Sequence, residues 1–274
     1  MKTELFPKDF FRALAKVPVK DFFADYSSPS RARLAQQRSL NRRAYQAGDN
    51  SRLIDWRASA RSDSLLVRPI QDASSRSILL CLDRSLSLTS NASERDFAQL
   101  RLAYAFASRA LKSHAKLAVL SDEHYIEFSS PSQIHLMQKT FESFHVAAKH
   151  GDCDFGLMAK TSRFDEVVVI SDPWLQRKNY SHLNRLTAKT RCMILLSKQE
   201  LNLPRRKVEL HCAETQNTRL VNWQHQNPQR VFEQHLNELQ QQLSAMACSS
   251  HLIPCPDAED ASQIIELSRE YLVQ

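Results

Sequence analysis

The feature that most constrains this chain is a series of short apolar runs, each followed by a stretch of helical period. "SILLCLD" (77–83), "AKLAVLS" (115–121), "EVVVISD" (166–172) and "RCMILLS" (191–197) are aliphatic almost throughout. Such runs read as strands buried on both faces, as in a parallel sheet covered by helices. "YIEFS" (125–129) and "HLIPC" (251–255) are shorter runs of the same kind. Between them lie segments with apolar residues at helical spacing: 93–114, with Ser93 as candidate N-cap, then 131–145, opened by Pro131, then 228–247 and a terminal 260–273. Alternating strand and helix signals predict an α/β fold with a mostly parallel sheet flanked by helices, over residues 77–274. The segment before it lacks that alternation. It divides into an N-terminal arm (1–30), whose Phe-rich opening is expected to pack as a helix on its own domain, and an arginine-rich extension (31–76).

With 274 residues, 42% of them hydrophobic, the chain can bury a sizeable core. No apolar stretch reaches the roughly 18 residues of a membrane span. The opening "MKTELFPKDFFRALAKVPVKDFF" lacks the apolar segment and cleavage site of a signal peptide, so a cytoplasmic location is expected. The six cysteines (81, 153, 192, 212, 248, 255) form no C-x-x-C pair, which fits free thiols in a reducing compartment. The ten histidines form no H-E-x-x-H or similar cluster. Neither G-x-G-x-x-G nor a P-loop occurs, and the three glycines (48, 151, 156) mark turns, two of them preceding an aspartate.

The charge is uneven. The whole chain carries +7, and residues 31–68 hold nine arginines against three aspartates, a net of +6 with no lysine. Arginine alone points to planar, hydrogen-bonded pairing with carboxylates or phosphates.

Asp83 closes the first apolar strand, and Asp172 stands at the same place on "VVVISD". Ligands of an open α/β sheet bind beyond the carboxyl ends of its strands. Ser85 and Ser87 follow Asp83 at every second position, so an extended chain points all three the same way. Asp152 and Asp154 lie in an expected loop, "KHGDCDFG". Carboxylates and hydroxyls converging at a sheet edge are hard oxygen donors, suited to Mg²⁺ or Mn²⁺. The other reading is a serine-rich loop in which Asp83 accepts backbone N–H groups.

"RAYQAGDNSRLIDWRASARSDSLLVR" (43–68) resembles the signature of the bacterial family called domain of unknown function 58: R-x-Y-x-P-G-D, R-x-I-D-W, S-A-R and L-x-V-R. The matching residues are Arg43, Tyr45, Gly48, Asp49, Arg52, Ile54, Asp55, Trp56, Ser59, Ala60, Arg61, Leu66 and Arg68, with Ala47 in place of proline. The resemblance implies that a von Willebrand factor A-like, Rossmann-like domain follows, opening with D-x-S-x-S, and that "LDRSLS" is part of a metal-ion-dependent adhesion site. Asp83, Ser85 and Ser87 match its first motif and Asp172 its last acidic position. The middle threonine is replaced by Cys153, a soft and poor ligand for Mg²⁺, so Asp152, a water or a partner's carboxylate could serve instead. The implied role is non-enzymatic. It is an adaptor that works with a MoxR-type AAA+ ATPase in chaperone-like remodelling and bridges through the metal to a client bearing an acidic residue.

Within the signature, Arg43, Arg52, Arg57 and Arg61 are candidates for a partner-docking surface. The structural reading has arginines paired with Asp49 and Asp55, and Trp56 packed against the sheet. Two rival functions have less support. Nucleic-acid binding through the basic 31–68 segment lacks a reader motif and has one aromatic, Tyr45, in the run "SRARLAQQRSLNRRAY". A metal-dependent phosphohydrolase of the haloacid-dehalogenase pattern needs a second acid where Ser85 stands.

Overall fold

A computed structural model describes residues 4–16, 43–46, 54–62, 64–67, 77–89, 93–113, 115–121, 124–146, 164–174, 189–203, 207–211, 218–222, 227–255 and 263–265. The chain divides into two compact units, residues 1–22 with 76–274, and residues 23–75.

The larger unit is built on a six-stranded sheet. In chain order its strands are β3 (Ser77–Leu82), β4 (Lys116–Ser121), β5 (His124–Phe128), β6 (Glu166–Ser171), β7 (Lys189–Leu196) and β10 (Cys248–Pro254). Across the sheet they run β10-β7-β6-β3-β4-β5, all parallel except β5, which returns antiparallel beside β4. The predicted mixed α/β fold with a mostly parallel sheet flanked by helices is present. The apolar runs supply the strands because every residue of β6, and all but the first of β3, β4 and β7, is covered on both faces. The edge strand β5 is largely exposed instead, and its sequence is correspondingly mixed.

On one face, Leu79, Cys81, Val167, Val169, Cys192 and Ile194 pack with Phe232, Leu236, Leu239 and Leu243 of helix α7 (Pro228–Ala245). Those four helix positions recur every three or four residues, the stripe a helix needs to cover a sheet. Helix α4 (Ser93–Lys112), outside that cluster, lies against β3, β4, β6 and β7 and carries α5 (Ile134–Val146) beside it. Cys81, Cys192, Cys248 and Cys255 are buried free thiols. Burial pushes Cys81 well above its ordinary range, which makes it inert.

The Phe-rich opening forms helix α1 (Lys8–Lys16), with Phe10 and Leu14 buried at i, i+4 spacing and Phe6 one turn earlier. The rings of Phe6, Phe10 and Phe11 gather around Tyr104 of α4, at centroid distances of 4.8, 6.0 and 5.9 Å. Two buried arginines of α4 fasten the segment by its carbonyls. Arg101 donates to Leu5 O at 2.6 Å and Glu4 O at 3.0 Å, and Arg109 donates to Leu14 O in the last turn of α1. The guanidinium thereby satisfies a carbonyl that the helix end leaves without a partner.

A hairpin of β8 (Lys207–His211) and β9 (Thr218–Asn222) stands apart from the main sheet. The terminal segment is helical at 263–265, and the rest of that predicted helix lies outside the described residues.

In the smaller unit the two ends of the signature pair with each other. β1 (Arg43–Ala44) runs antiparallel to β2 (Leu66–Val67), and Tyr45 N–H continues the pairing to Leu65 O at 2.8 Å. Asp55 is the N-cap of the short helix α2 (Trp56–Ser59), accepting from Ala58 N–H at 3.2 Å. Ser59 accepts from Leu66 N–H at 2.8 Å.

Candidate functional site: an oxygen cluster at the switch point of the sheet

β3 is the first strand of the sheet in sequence, and its neighbours are the second and the fourth. Connections therefore leave in opposite directions from the β3–β6 junction, the topological switch point where open α/β sheets bind ligands. Asp83 and Asp172 follow β3 and β6 directly, so both carboxylates fall at that junction, each only 1% exposed. Asp83 N–H donates to Ile170 O at 3.1 Å, carrying the parallel ladder one residue past β3. Gln99 of α4 holds both strand ends, its side-chain amide donating to Asp83 O and Ile170 O at 2.8 Å each.

The chain then turns out of the sheet. Asp83 Oδ1 accepts from Ser85 N–H at 2.8 Å, a turn that leads into the short helix α3 (Leu86–Thr89). Ser87 thus arrives on the first turn of a helix, where the spacing predicted extended chain, yet its hydroxyl still lies 3.1 Å from that of Ser85. Arg84 points the other way, donating to Asp96, to Gln99 Oε1 at 3.0 Å and to Phe144 O at 2.9 Å. That buried anchor fixes the loop from behind.

Asp83 Oδ2 accepts the hydroxyl proton of Ser171. Asp172 Oδ1 accepts from Trp174 N–H at 2.9 Å, its Oδ2 faces Arg95 Nη1 at 3.5 Å, and its carboxylate is also hydrogen-bonded by Ser87. Burial, and secondarily the charge of Asp83, push the Asp172 carboxyl up to about 7; Ser87, Arg95 and the Trp174 N–H act in the opposite direction. Arg95 also reaches Glu200 Oε1 at 3.3 Å. Glu200 caps helix α6 (Lys198–Leu201) reciprocally with Ser197, and accepts the indole N–H of Trp174 at 2.7 Å. The Trp174 ring, 47% exposed, stacks on His235 of α7 with centroids 5.2 Å apart.

Asp83, Ser85, Ser87 and Asp172 therefore lie together at the ends of β3 and β6. Asp152, Cys153 and Asp154 lie outside the described residues, and among those described there is no group of three or more His, Cys, Asp and Glu arranged for a metal. The donors present are instead two carboxylates and serine hydroxyls, all hard oxygens. Their character as hard oxygen donors fits Mg²⁺ or Mn²⁺, and the Ser85 and Ser87 hydroxyls are hydrogen-bonded to each other at 3.1 Å.

Ser171, Arg95, Gln99 and Glu200 are site residues that sequence reasoning missed. Only the S-x-x-E capping box of Ser197 and Glu200 carried a local signal. Of the candidate docking arginines, Arg57 and Arg61 are exposed, Arg43 lies on β1, and Arg52 is outside the described residues. Trp56 is 65% exposed.

Fold and cluster together define an α/β protein with a buried, oxygen-rich cluster at its switch point. The chain belongs to the family described as "Protein of unknown function DUF58", whose profile matches residues 41–242. No curated protein and no solved structure matches it.

Proposed function

We propose that this protein is a non-enzymatic interaction adaptor of von Willebrand factor A-like type, using a metal-ion-dependent adhesion-like site and working in the cytoplasm with a MoxR-type AAA+ ATPase in chaperone-like remodelling. The observation that carries the reading is the convergence of two buried carboxylates, Asp83 and Asp172, and two hydroxyls, Ser85 and Ser87, at the β3–β6 switch point. Strand order supports it as well, since it delivers both aspartates to the ends of adjacent strands at the switch point. The four side chains would hold Mg²⁺ or Mn²⁺. When bound, the ion offers an open position to a carboxylate of a client protein. Asp83 and Asp172 supply charge, Ser85 and Ser87 supply neutral donors, and Gln99 and Arg84 keep the loop in register. Trp56, Arg57 and Arg61 give the smaller unit an exposed aromatic and cationic face suited to an acidic surface of the ATPase.

The test is capture of a purified MoxR-type ATPase and of acidic clients by the tagged protein in Mg²⁺, in EDTA, and with Asp83→Ala. Retention of the client in Mg²⁺ alone, lost by at least about tenfold in the other two conditions, is expected. Equal retention in all three would sink the metal-bridged reading.

A further inference from the structure

Arg95 is an unusual neighbour for a cation site. It is the third residue of α4, where a positive charge opposes the helix dipole, and its side chain is 9% exposed. A buried guanidinium at a helix N-terminus persists only if carboxylates hold it, and here it is shared. Nη1 lies 3.5 Å from Asp172 Oδ2 and 3.3 Å from Glu200 Oε1. Glu200 is itself fixed on three sides: its Oε2 accepts Ser197 N–H at 2.8 Å and the Ser197 hydroxyl at 3.0 Å, and its Oε1 accepts the Trp174 indole at 2.7 Å. Asp172, by contrast, is one of the four donors of the oxygen cluster. One cation is thus suspended between a carboxylate among the four clustered donors and a carboxylate beside them.

We propose that Arg95 is a built-in counter-cation that competes with the divalent ion for Asp172, and that Glu200 sets the outcome by holding the guanidinium aside. The inference rests on the metal-site reading given above. With Glu200 engaged, Asp172 keeps a lone pair free for the ion; with Glu200 removed, Arg95 closes on Asp172 and fills the position electrostatically. Trp174 shares Glu200 Oε1 with Arg95 and is half exposed beside the cluster, so it reports on the same contact from the surface.

The test is Mn²⁺ binding to the full chain by isothermal titration calorimetry and by loss of the free-ion electron paramagnetic resonance signal. It compares wild type, Arg95→Gln, Glu200→Gln, Glu200→Asp and the Arg95→Gln/Glu200→Gln double variant. Arg95→Gln should bind Mn²⁺ at least about tenfold more tightly than wild type, because a like charge near the ion is removed. Glu200→Gln should bind about tenfold more weakly, and Glu200→Asp should weaken binding too, since it keeps the charge but shortens the reach to Arg95. In the Arg95→Gln background the Glu200→Gln effect should largely vanish. Equal affinities across the series, or additive Glu200 and Arg95 effects, would overturn the proposal while leaving the metal site standing. Absence of Mn²⁺ binding in every protein, Arg95→Gln included, would instead remove the metal reading itself. Binding by Arg95→Gln but not wild type would be the strongest support for an internal competitor. Should Arg95→Gln fail to fold, the two Glu200 variants decide: unchanged affinity in both contradicts the proposal.

Discussion

Two carboxylates buried side by side cannot both ionise at low cost, and Asp172 bears the consequence. Its carboxyl is raised to about 7, first by burial and then by the charge of Asp83. An unfolded aspartate titrates near 4. Between those values the native state holds the proton and the unfolded state does not, so stability falls as pH rises from about 4 to about 7 and the penalty is complete above. Denaturant unfolding in EDTA at pH 5 and pH 7.5 should show the wild type losing stability as pH rises, on the order of 1 kcal/mol per pH unit from this group. Asp172→Asn should be flatter and, at pH 7.5, the more stable of the two; parallel pH profiles would contradict the assignment. Asp83, Ser85, Ser87 and Asp172 could be picked out from sequence because each sits at or just past the end of an apolar run. Ser171, Arg95 and Glu200 could not, because their roles exist only through contacts across the fold, such as the Ser171–Asp83 bond between residues 88 positions apart.

At the scale of elements, the sheet was readable because burial on both faces demands unbroken aliphatic runs, and α4 and α7 because their apolar stripes are regular. The β8–β9 hairpin escaped notice: "KVELH" and "TRLVN" mix charged and apolar residues as exposed ribbons do, and no glycine turn marks the link between them. The opening helix was readable as a helix with an apolar face. Its fastening by Arg101 and Arg109 was not, since arginines within a helix ordinarily signal a solvated side. Phe10 is fully buried in the ring cluster around Tyr104. Phe10→Ala should therefore cost about 3–5 kcal/mol of unfolding free energy by chemical denaturation. A loss below about 1 kcal/mol would mean that α1 rests on the surface without contributing to the core.

For the molecule as a whole, the two units divide the work differently. The signature segment spends its Asp55 and Ser59 on its own turn and helix and leaves Trp56, Arg57 and Arg61 outward. The larger unit converges buried oxygens at the β3–β6 junction. The proposed metal site there would bind a divalent ion through the Asp83–Asp172 pair. The most direct measurement is calorimetric titration with Mn²⁺ in buffers of differing ionisation enthalpy, which counts the protons released on binding. With Asp172 near 7, about one proton should leave per ion at pH 6, falling towards none by pH 8.5. Binding without proton release at pH 6, or no binding at all, would contradict the account.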